Sequence, residues 1–476
     1  MNSQKVSEKP ENNPLRKYDG DTLRNLKRLI DLGLLYASKS GGVIVGIFIL
    51  PWYERLLGSE AFGVVAMILS LQGFLLMLDL GTSTLVGRDV AISKNARGHL
   101  ITWRAAVSLL HIVYAGLLVV ALSVNIFFDA PLAPLQVILC IILFWSLTVQ
   151  NVGQSALLAK RRYAVSGSVQ VLGVLGRAVI TIAALTYVSA ELETFLFAQA
   201  LTAVVQMIVI SWFCRQALDM ENQPLHIRML QSHIEELARR GAPLVLFGLS
   251  GAAVLQLDKV IIPVFISPAA LAPYFLASAL CLTPISVLAG PINQYFFPGI
   301  IESINRQDAK EALNRLRKLV FAICMVVAIP SAVLWLGREP IINLWLHQQP
   351  IASDVVRYVK ILLPGIALGA LGYVPYNILV AHEDYRVHAL LSAGMTIITL
   401  SVAALAAFLG SVLAVCWIYA SYHTLSAVIT WWRASYLVGS ISDNYATRSA
   451  NFAIVLLAII ISATVVFTFV ASNFFN

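Results

Sequence analysis

Five charged residues interrupt long apolar stretches of this sequence, and residues of these types can bind ions or charged ligands. They are Lys39, Asp79, Arg177, Asp258 and Lys259. A charge near the centre of a membrane-spanning helix costs about 2.5–3.5 kcal/mol on insertion scales, so it is usually paired or functional. Cations in such places can hold an anionic group, and carboxylates can exchange protons. The sequence therefore predicts a polar site within an otherwise apolar protein.

Hydrogen-bonding side chains accompany these charges at helical spacing. Gln170, Gly173 and Thr181 share a helix face with Arg177, and Gln256 precedes Lys259 by three residues. Uncharged polar stripes recur at Gln150 and Gln154, at Gln199, Thr202 and Gln206, and at Tyr419, Tyr422, His423 and Ser426. Polar faces turned towards one another indicate a hydrated passage. We predict that this passage, the substrate pathway, is lined by Lys39, Arg177, Lys259, Gln256, Gln170 and His423.

The two aspartates are predicted to serve ion coupling or charge pairing, and the other residues have structural alternatives. Asp79 and Lys39 lie at similar depths in adjacent spans, where they could neutralise each other. Arg177 could be satisfied by backbone carbonyls or a glutamine stripe, and His423 could serve packing alone. Asp258 and Lys259 are consecutive and therefore about 100° apart on a helix, which predicts no direct bridge between them.

The composition is that of a membrane protein. Hydrophobic residues make up 59% of the 476 residues and charged residues only 12%, with a mean hydropathy of +0.80. Soluble domains carry about 25% charged residues. Because the bilayer core offers no partner for backbone amides, such a chain spans the membrane as helices of about 20 residues. The five cysteines lie in apolar runs without paired spacing, so we expect packing roles rather than disulfides or a zinc site.

A window of about 19 residues finds thirteen candidate spans. They are Ile30–Pro51, Phe62–Gly87, Trp103–Val124, Leu135–Leu158, Val165–Tyr187, Leu192–Cys214, Pro243–Phe265, Leu271–Phe297, Leu319–Leu336, Val355–Ala381, Val387–Leu409, Ser411–Trp432 and Phe452–Ala471.

Basic residues give the predicted orientation, because basic loops are retained on the cytoplasmic side. The 1–26 tail and alternate loops hold most of the lysines and arginines, among them Arg161, Arg240 and Arg317. The intervening loops hold few. This pattern places the N-terminus in the cytoplasm and the end of the thirteenth span outside. It also explains the net charge of +8 without a nucleic-acid partner.

The longest break between spans divides the chain into two blocks of six. The join at 157–165 (LLAKRRYAV) corresponds to that at 379–387 (LVAHEDYRV), at an offset of 222 residues. Repeats of six spans keep the same orientation, which relates them by an axis along the membrane normal with a cavity between them. The predicted segments are a cytosolic basic tail (1–26), a six-helix bundle (27–215), an amphipathic cytosolic linker (216–242), a second six-helix bundle (243–437) and an extra transmembrane helix (438–476).

Several short motifs resemble those of a known family. The stretch 53–63 (YERLLGSEAFG), followed by 78–81 (LDLG) and 88–91 (RDVA), resembles the opening hairpin of bacterial polysaccharide flippases of the O-antigen type. These flippases belong to the multidrug/oligosaccharidyl-lipid/polysaccharide (MOP) exporter superfamily. They commonly carry an aspartate and then a tyrosine where this chain has Asp258 and Tyr274. Two departures are Ala272-Pro273-Tyr274 in place of the usual glycine-tyrosine, and a thirteenth span beyond the twelve-helix core.

The resemblance implies an all-α polytopic membrane protein with two six-helix bundles related by a pseudo-two-fold axis, as in the MATE transporters of that superfamily. It implies alternating-access transport of an undecaprenyl-diphosphate-linked oligosaccharide, such as an O-antigen unit, from the cytoplasmic to the periplasmic leaflet of the bacterial inner membrane. Implied partners are the lipid-linked glycan, membrane lipids, and a polysaccharide polymerase with its chain-length regulator. The chain is expected to act as a monomer without a cofactor.

Two other functions would leave different features in the sequence. A drug/cation antiporter of the same superfamily would show an acidic cavity, whereas three of the five central charges here are positive. A membrane-embedded polysaccharide polymerase would carry a sizeable outer loop, whereas the longest predicted outer loop is 337–354. The sequence shows no phosphate-binding glycine loop, metal-ligand cluster or nucleophile elbow. We therefore predict a transporter rather than an enzyme.

Overall fold

The computed structural model describes residues 45–93, 96–127, 132–218, 227–382 and 384–441, and its regular structure is helical. The α-helices in chain order are α1 (Leu50–Leu78), α2 (Thr82–Ile92), α3 (Ala96–Phe127), α4 (Pro134–Ala159), α5 (Tyr163–Tyr187), α6 (Leu192–Ala217), α7 (Ile227–Gln256), α8 (Asp258–Phe265), α9 (Pro268–Asn305), α10 (Ala309–Leu336), α11 (Arg338–Trp345), α12 (Ala352–Gly369), α13 (Tyr373–Ala381), α14 (Tyr385–Phe408) and α15 (Val412–Ile441). Lys39, the basic tail and the thirteenth span lie outside the described residues.

Ten helical runs in the described part of the chain are long and apolar enough to cross a membrane. The all-helical membrane fold predicted from the sequence is therefore confirmed. The run Ile47–Ile92 contains the second predicted span and the end of the first, whose earlier part lies outside the described residues, and the seventh predicted span is not among the ten. The predicted third to sixth spans correspond to α3–α6, and the eighth, ninth, eleventh and twelfth to α9, α10, α14 and α15.

The described end of the first predicted span and the second predicted span differ from the expectation of separate helices. They are joined in α1 across Gly58, whose φ of 75° is strained for any residue with a Cβ atom. The second span is then interrupted after Leu78 by a 3₁₀ turn, Asp79–Gly81, before α2 begins at Thr82. Leu80 in this turn has a φ of 55°. The interruption places the Asp79 side chain and the Leu80 carbonyl at a bend between two helices.

The linker expected at 216–242 differs as well. Helix α7 starts at Ile227 and runs without a break to Gln256, so the amphipathic segment and most of the seventh span form one helix. The remainder of that span is the separate short helix α8, which begins at Asp258. Likewise the tenth predicted span consists of α12 and α13, joined by the 3₁₀ turn Ala370–Gly372.

The helices form two bundles in which corresponding helices pack in corresponding pairs. In the first bundle (α1–α6), α4 packs on α6, α5 on α6 and α3 on α4. In the second (α7–α15), α12 packs on α15, α14 on α15 and α10 on α12. These are the fourth-to-sixth, fifth-to-sixth and third-to-fourth spans of each half. The packing therefore follows the internal repeat that the 157–165 and 379–387 joins indicated.

The bundles contact each other through α1 with α9, and through α7 with α1 and α3. We call the end of the molecule with the basic loops the basic end, and the opposite end the far end. At the far end a Cβ atom on Gly63 would lie 1.8 Å from the Pro268 carbonyl oxygen, so only glycine fits there. The rings of Phe62 and Phe275 meet edge to face beside this contact, 6.1 Å apart.

Four of the five cysteines are buried, namely Cys140, Cys214, Cys281 and Cys416, and all five are free thiols. The packing role expected for them is confirmed for these four.

Candidate functional site

Arg177 lies on α5 and turns its guanidinium towards α6. Its Nη2 donates to the Gln206 Oε1 over 3.5 Å, and the Gln206 amide nitrogen donates to the Val169 carbonyl over 3.2 Å. The glutamine is thereby held with its oxygen towards the arginine. None of the ion pairs in the described residues includes Arg177. Since a guanidinium carries five N–H donors, this one keeps capacity for an added acceptor.

Gly173 makes this arrangement possible. It lies one turn before Arg177, and a Cβ atom there would come within 2.0 Å of the Gln206 side-chain amide. Gly176 in the same helix has open space around it, with no heavy atom within 4 Å of the corresponding position. The lack of a side chain at Gly173 therefore makes room for the Gln206 side chain. At Gly176 the same space is not used by any neighbouring group.

Further polar groups surround Arg177. Tyr53 of α1 is only 2% exposed, and its hydroxyl lies near Thr181 and Gln199 without a well-formed hydrogen bond to either. Gln199 donates to Thr181 Oγ1 over 3.2 Å, which connects α6 to α5. The first bundle thus supplies uncharged donors and acceptors around one unbalanced cation.

Three other glutamines of the first bundle, Gln150, Gln154 and Gln170, are committed to contacts between helices. Gln154 donates to Gln170, and Gln150 donates to the Ala203 carbonyl over 2.7 Å. Gln170 was predicted to line the substrate pathway, but in this structure its amide oxygen is already used by α4. The prediction for Gln170 itself remains untested.

Asp258 and Lys259 form a buried ion pair, so the expectation that they do not bridge was wrong. The Lys259 ammonium lies 3.0 Å from Asp258 Oδ1 and also donates to the Leu255 carbonyl over 2.8 Å. Helical side chains lean towards the N-terminus. The long lysine chain runs back along the helix to Leu255, and this brings its ammonium beside the carboxylate of the preceding residue. The prediction considered only the angle between the two residues around the helix axis and not the length of the lysine side chain.

Aromatic residues enclose this pair. The Tyr274 hydroxyl donates to Asp258 Oδ2 over 2.6 Å, and the Lys259 ammonium lies 5.4 Å from the centre of the Tyr419 ring. The His423 ring packs on Tyr419 with centroids 4.7 Å apart, against Gly369 on α12. The Tyr419 hydroxyl and His423 Nε2 are buried atoms without a hydrogen-bond partner. Asp258, Lys259 and His423, predicted separately, therefore lie in one cluster of zero formal charge.

Asp79 and Gln256 lie apart from both clusters. Asn151 of α4 donates to Asp79 Oδ2 over 3.0 Å, and none of the ion pairs in the described ranges includes this aspartate. The alternative pairing of Asp79 with Lys39 falls outside the described residues. The Gln256 amide lies against Gly73 of α1, where a Cβ atom would be 3.0 Å from Nε2. Gln256 thus lies at the contact between the bundles.

Sequence reasoning did not single out Tyr53 or Asn151, and it placed Tyr419 only in a polar stripe. Each acts across a contact between helices far apart in the chain, which no local spacing encodes. The stripe of Gln199, Thr202 and Gln206, and the helix face that Gln170, Gly173 and Thr181 share with Arg177, were the signals that pointed to the surroundings of Arg177.

Comparison with known proteins gives a family and a fold. A family model described as "Polysaccharide biosynthesis protein" matches residues 54–353. No curated protein matches the sequence significantly. The fold is similar to the inward-facing conformation of a multidrug resistance MATE transporter of the MOP superfamily, with a TM-score of 0.67 and 13% identity over 85% of this chain and 96% of that one.

Two further solved structures share the fold. The lipid II flippase MurJ in an inward closed conformation has a TM-score of 0.63 and 10% identity, covering 93% of this chain and all of that one. A MOP transporter from Pyrococcus furiosus, described as having a binding pocket of reversed polarity, has a TM-score of 0.55 and 14% identity over 87% of this chain and 94% of that one. The predicted MATE-like architecture is confirmed by these likenesses, and all three of these proteins are transporters or flippases.

Proposed function

We propose that this protein, which belongs to the polysaccharide biosynthesis protein family, is a flippase for a polyprenyl-diphosphate-linked oligosaccharide. It moves this substrate from the cytoplasmic to the periplasmic leaflet of the bacterial inner membrane, with its N-terminus in the cytoplasm. Two observations support a flippase: the family acts in polysaccharide biosynthesis, and a lipid flippase is among the proteins with this fold. Alternating access between the two bundles is the proposed mechanism.

The observation that carries the proposal is the unbalanced charge of Arg177. A lipid diphosphate is anionic, and a cation without an ion-pair partner can offset its charge within the membrane without first losing a carboxylate. Of the predicted pathway cations that the structure describes, Lys259 is neutralised by Asp258, whereas Arg177 belongs to no ion pair in the described residues and is bonded to the amide oxygen of Gln206. A guanidinium can also grip two phosphate oxygens at once. We assign the diphosphate to Arg177.

The remaining polar groups suit the other parts of the task. The Tyr53 hydroxyl and the amides and hydroxyls of Gln199 and Thr181 lie near Arg177 and can bond a hydroxyl-rich glycan. Asp258 holds Lys259 in place, so a coupling role for it would require the pair to separate. Asp79 has an amide partner but no ion-pair partner in the described ranges, which favours Asp79 as the coupling carboxylate.

The experiment is deletion of the gene in its host, followed by measurement of surface glycan and of the lipid-linked oligosaccharide pool. The expected result is loss of surface glycan with an accumulated lipid-linked unit that faces the cytoplasm, and rescue by the wild-type gene. Unchanged surface glycan together with greater sensitivity to cationic drugs would contradict the proposal and favour the antiporter.

Gly173→Ala should lower transport by roughly tenfold, because the added methyl group displaces Gln206 and removes the hydrogen bond that orients Arg177. A hydrogen bond to a charged group contributes about 1.5 kcal/mol or more, which corresponds to that factor. The measurement is the rate of lipid-linked oligosaccharide transfer in proteoliposomes. Gly176→Ala is the matched control, since it adds the same methyl group to the same helix where nothing lies within 4 Å. Equal rates for both variants would refute the positioning role of Gln206.

A further inference from the structure

A two-point ion pair joins the bundles at the basic end. Arg240 of α7 donates from Nη1 to Asp89 Oδ2 over 3.0 Å and from Nη2 to Asp89 Oδ1 over 2.8 Å. Asp89 lies near the end of α2, so the contact connects residues 151 positions apart. Glu236, one turn before Arg240, lies 3.6 Å from the same guanidinium. One arginine of the second bundle therefore faces two carboxylates.

The backbone beneath this pair is tightly packed. Gly241 lies against the Leu80 carbonyl, where a Cβ atom would come within 2.3 Å of the oxygen. Further along α7, Ser250 contacts Ser392 at 3.3 Å and accepts a hydrogen bond from Thr396, both on α14. The later half of this helix is therefore bonded to α14 of the second bundle, while Arg240 and Gly241 contact the first bundle. If the bundles separate at this end, the Asp89–Arg240 pair must break.

The contact at the far end has a different chemistry. Gly63 against the Pro268 carbonyl, and Phe62 against Phe275, contain no charged group. An anion can weaken an ion pair by competing for the cation, whereas it has no such partner at a contact of glycine, carbonyl and aromatic rings. The two ends of the interface between the bundles thus differ in their response to an anionic ligand.

Water and solutes can reach the Asp89–Arg240 pair. The side chains of Arg240 and Asp89 are 32% and 23% exposed, whereas that of Lys259 is 6% exposed. The fork of a guanidinium that fits a carboxylate also fits two oxygens of a phosphate. By the distribution of basic residues this end faces the cytoplasm, where the lipid-linked substrate is made available.

We propose that Asp89–Arg240 is a latch between the bundles that the diphosphate of the substrate opens, with Arg240 exchanging the Asp89 carboxylate for phosphate oxygens. This inference rests on the proposed function for the identity of the substrate. It adds a first binding site at the basic end, ahead of Arg177. In the absence of substrate, the latch would hold the two bundles together at that end.

A second ion pair provides a matched control. Arg433 of α15 donates from Nε to Asp384 Oδ2 over 2.6 Å, also at the basic end, and its side chain is 23% exposed. Both residues belong to the second bundle, so this pair has no need to break when the bundles separate. Changes at Asp384 and Arg433 remove a comparable ion pair without touching the contact between the bundles.

The binding test uses the full-length protein in nanodiscs with farnesyl diphosphate as the probe and farnesol as the uncharged control. It is done in an Arg177→Gln background, so that binding at Arg177 does not contribute and only binding at the basic end is measured. Asp89→Asn is expected to tighten binding several-fold because the competing carboxylate is gone, and Arg240→Gln to weaken it about tenfold. Asp384→Asn and Arg433→Gln are expected to leave it unchanged. Equal binding by the Asp89, Arg240 and control variants would overturn the proposal.

The transport test locks the latch. In an Asp89→Cys/Arg240→Cys protein, a cleavable bifunctional thiol reagent is expected to stop transfer of lipid-linked oligosaccharide, and a reductant to restore it. The same reagent on Asp384→Cys/Arg433→Cys is expected to leave the transfer rate unchanged. Undiminished transfer by the locked protein would refute the latch. If the wild type transfers no lipid-linked glycan, the proposed function fails, and the binding test still decides whether Arg240 takes a diphosphate.

Discussion

Arg177→Gln is expected to reduce transport of the lipid-linked oligosaccharide by a hundredfold or more. Glutamine keeps a polar side chain of similar reach but has no charge and cannot grip two phosphate oxygens at once. Two charge-assisted hydrogen bonds of about 1.5 kcal/mol each would account for a factor of this size. The measurement is the initial rate of transfer in proteoliposomes, supported by the amount of surface glycan in cells that carry the variant. The transfer rate of Arg177→Lys should lie between those of the wild type and Arg177→Gln, because an ammonium keeps the positive charge but lacks the paired N–H groups of a guanidinium.

The control for this prediction is the folded state of the variant. Arg177 has no ion-pair partner in the described residues, so the neutral variant should be at least as stable as the wild type to heat. A stable variant with a wild-type transfer rate would show that the diphosphate does not use Arg177. A variant that loses stability in parallel with transport would show that Arg177 serves packing instead.

Lys259→Met is expected to lower stability by about 3–5 kcal/mol, because it leaves the Asp258 carboxylate buried without a cation. Asp258 is 1% exposed, and only the Tyr274 hydroxyl would remain to bond it among the contacts described above. The measurement is the unfolding midpoint of the purified protein in detergent, together with its yield. The double variant Asp258→Asn/Lys259→Met removes both charges and keeps an acceptor for Tyr274, so most of the lost stability should return.

The double variant also separates the two roles open to Lys259. If it is stable and transports normally, the ion pair is structural and Lys259 has no part in the substrate pathway. If it is stable but inactive, the pair takes part in transport, as the sequence-based prediction for Lys259 required. A double variant as unstable as Lys259→Met alone would contradict the charge-balance argument.

The fold could be predicted from the sequence to a large extent, because hydropathy and helix length are local properties. Each long apolar run had to become a helix to satisfy its own amides. The breaks inside these apolar runs were harder to predict. The 3₁₀ turn at Asp79–Gly81 depends on a left-handed Leu80, and the continuity of α7 through Arg240 depends on packing against α1 and α3. Neither is encoded by the average hydropathy of a window.

The site was predicted by residue type but not by arrangement. Charges in apolar runs singled out Arg177, Asp258 and Lys259 as candidate site residues, and their roles in transport stay predictions. Which of them is neutralised depends on the conformation of the lysine side chain and on Tyr274 in another helix, and helical angles alone gave the wrong answer for the pair. Asp89 and Arg240 are 151 positions apart in the chain, so no local spacing predicted their contact. The basic residues near them indicated only the orientation of the protein in the membrane.

The buried Asp258–Lys259 pair has a consequence for how voltage acts on the transport cycle. Since the pair is neutral, Arg177 is the predicted pathway cation in the described residues that would offset charge on a diphosphate bound there as proposed, and a site loaded in this way would keep a net negative charge. A membrane potential that is negative inside pushes such a charge outward, with about 2.3 kcal/mol for each elementary charge per 100 mV. If Lys259 were also unpaired, its positive charge would offset more of the negative charge of the diphosphate. The loaded site would then carry less net charge, and the membrane potential would drive it outward less strongly. Because Asp258 neutralises Lys259, the bound substrate keeps a net charge on which the membrane potential can act.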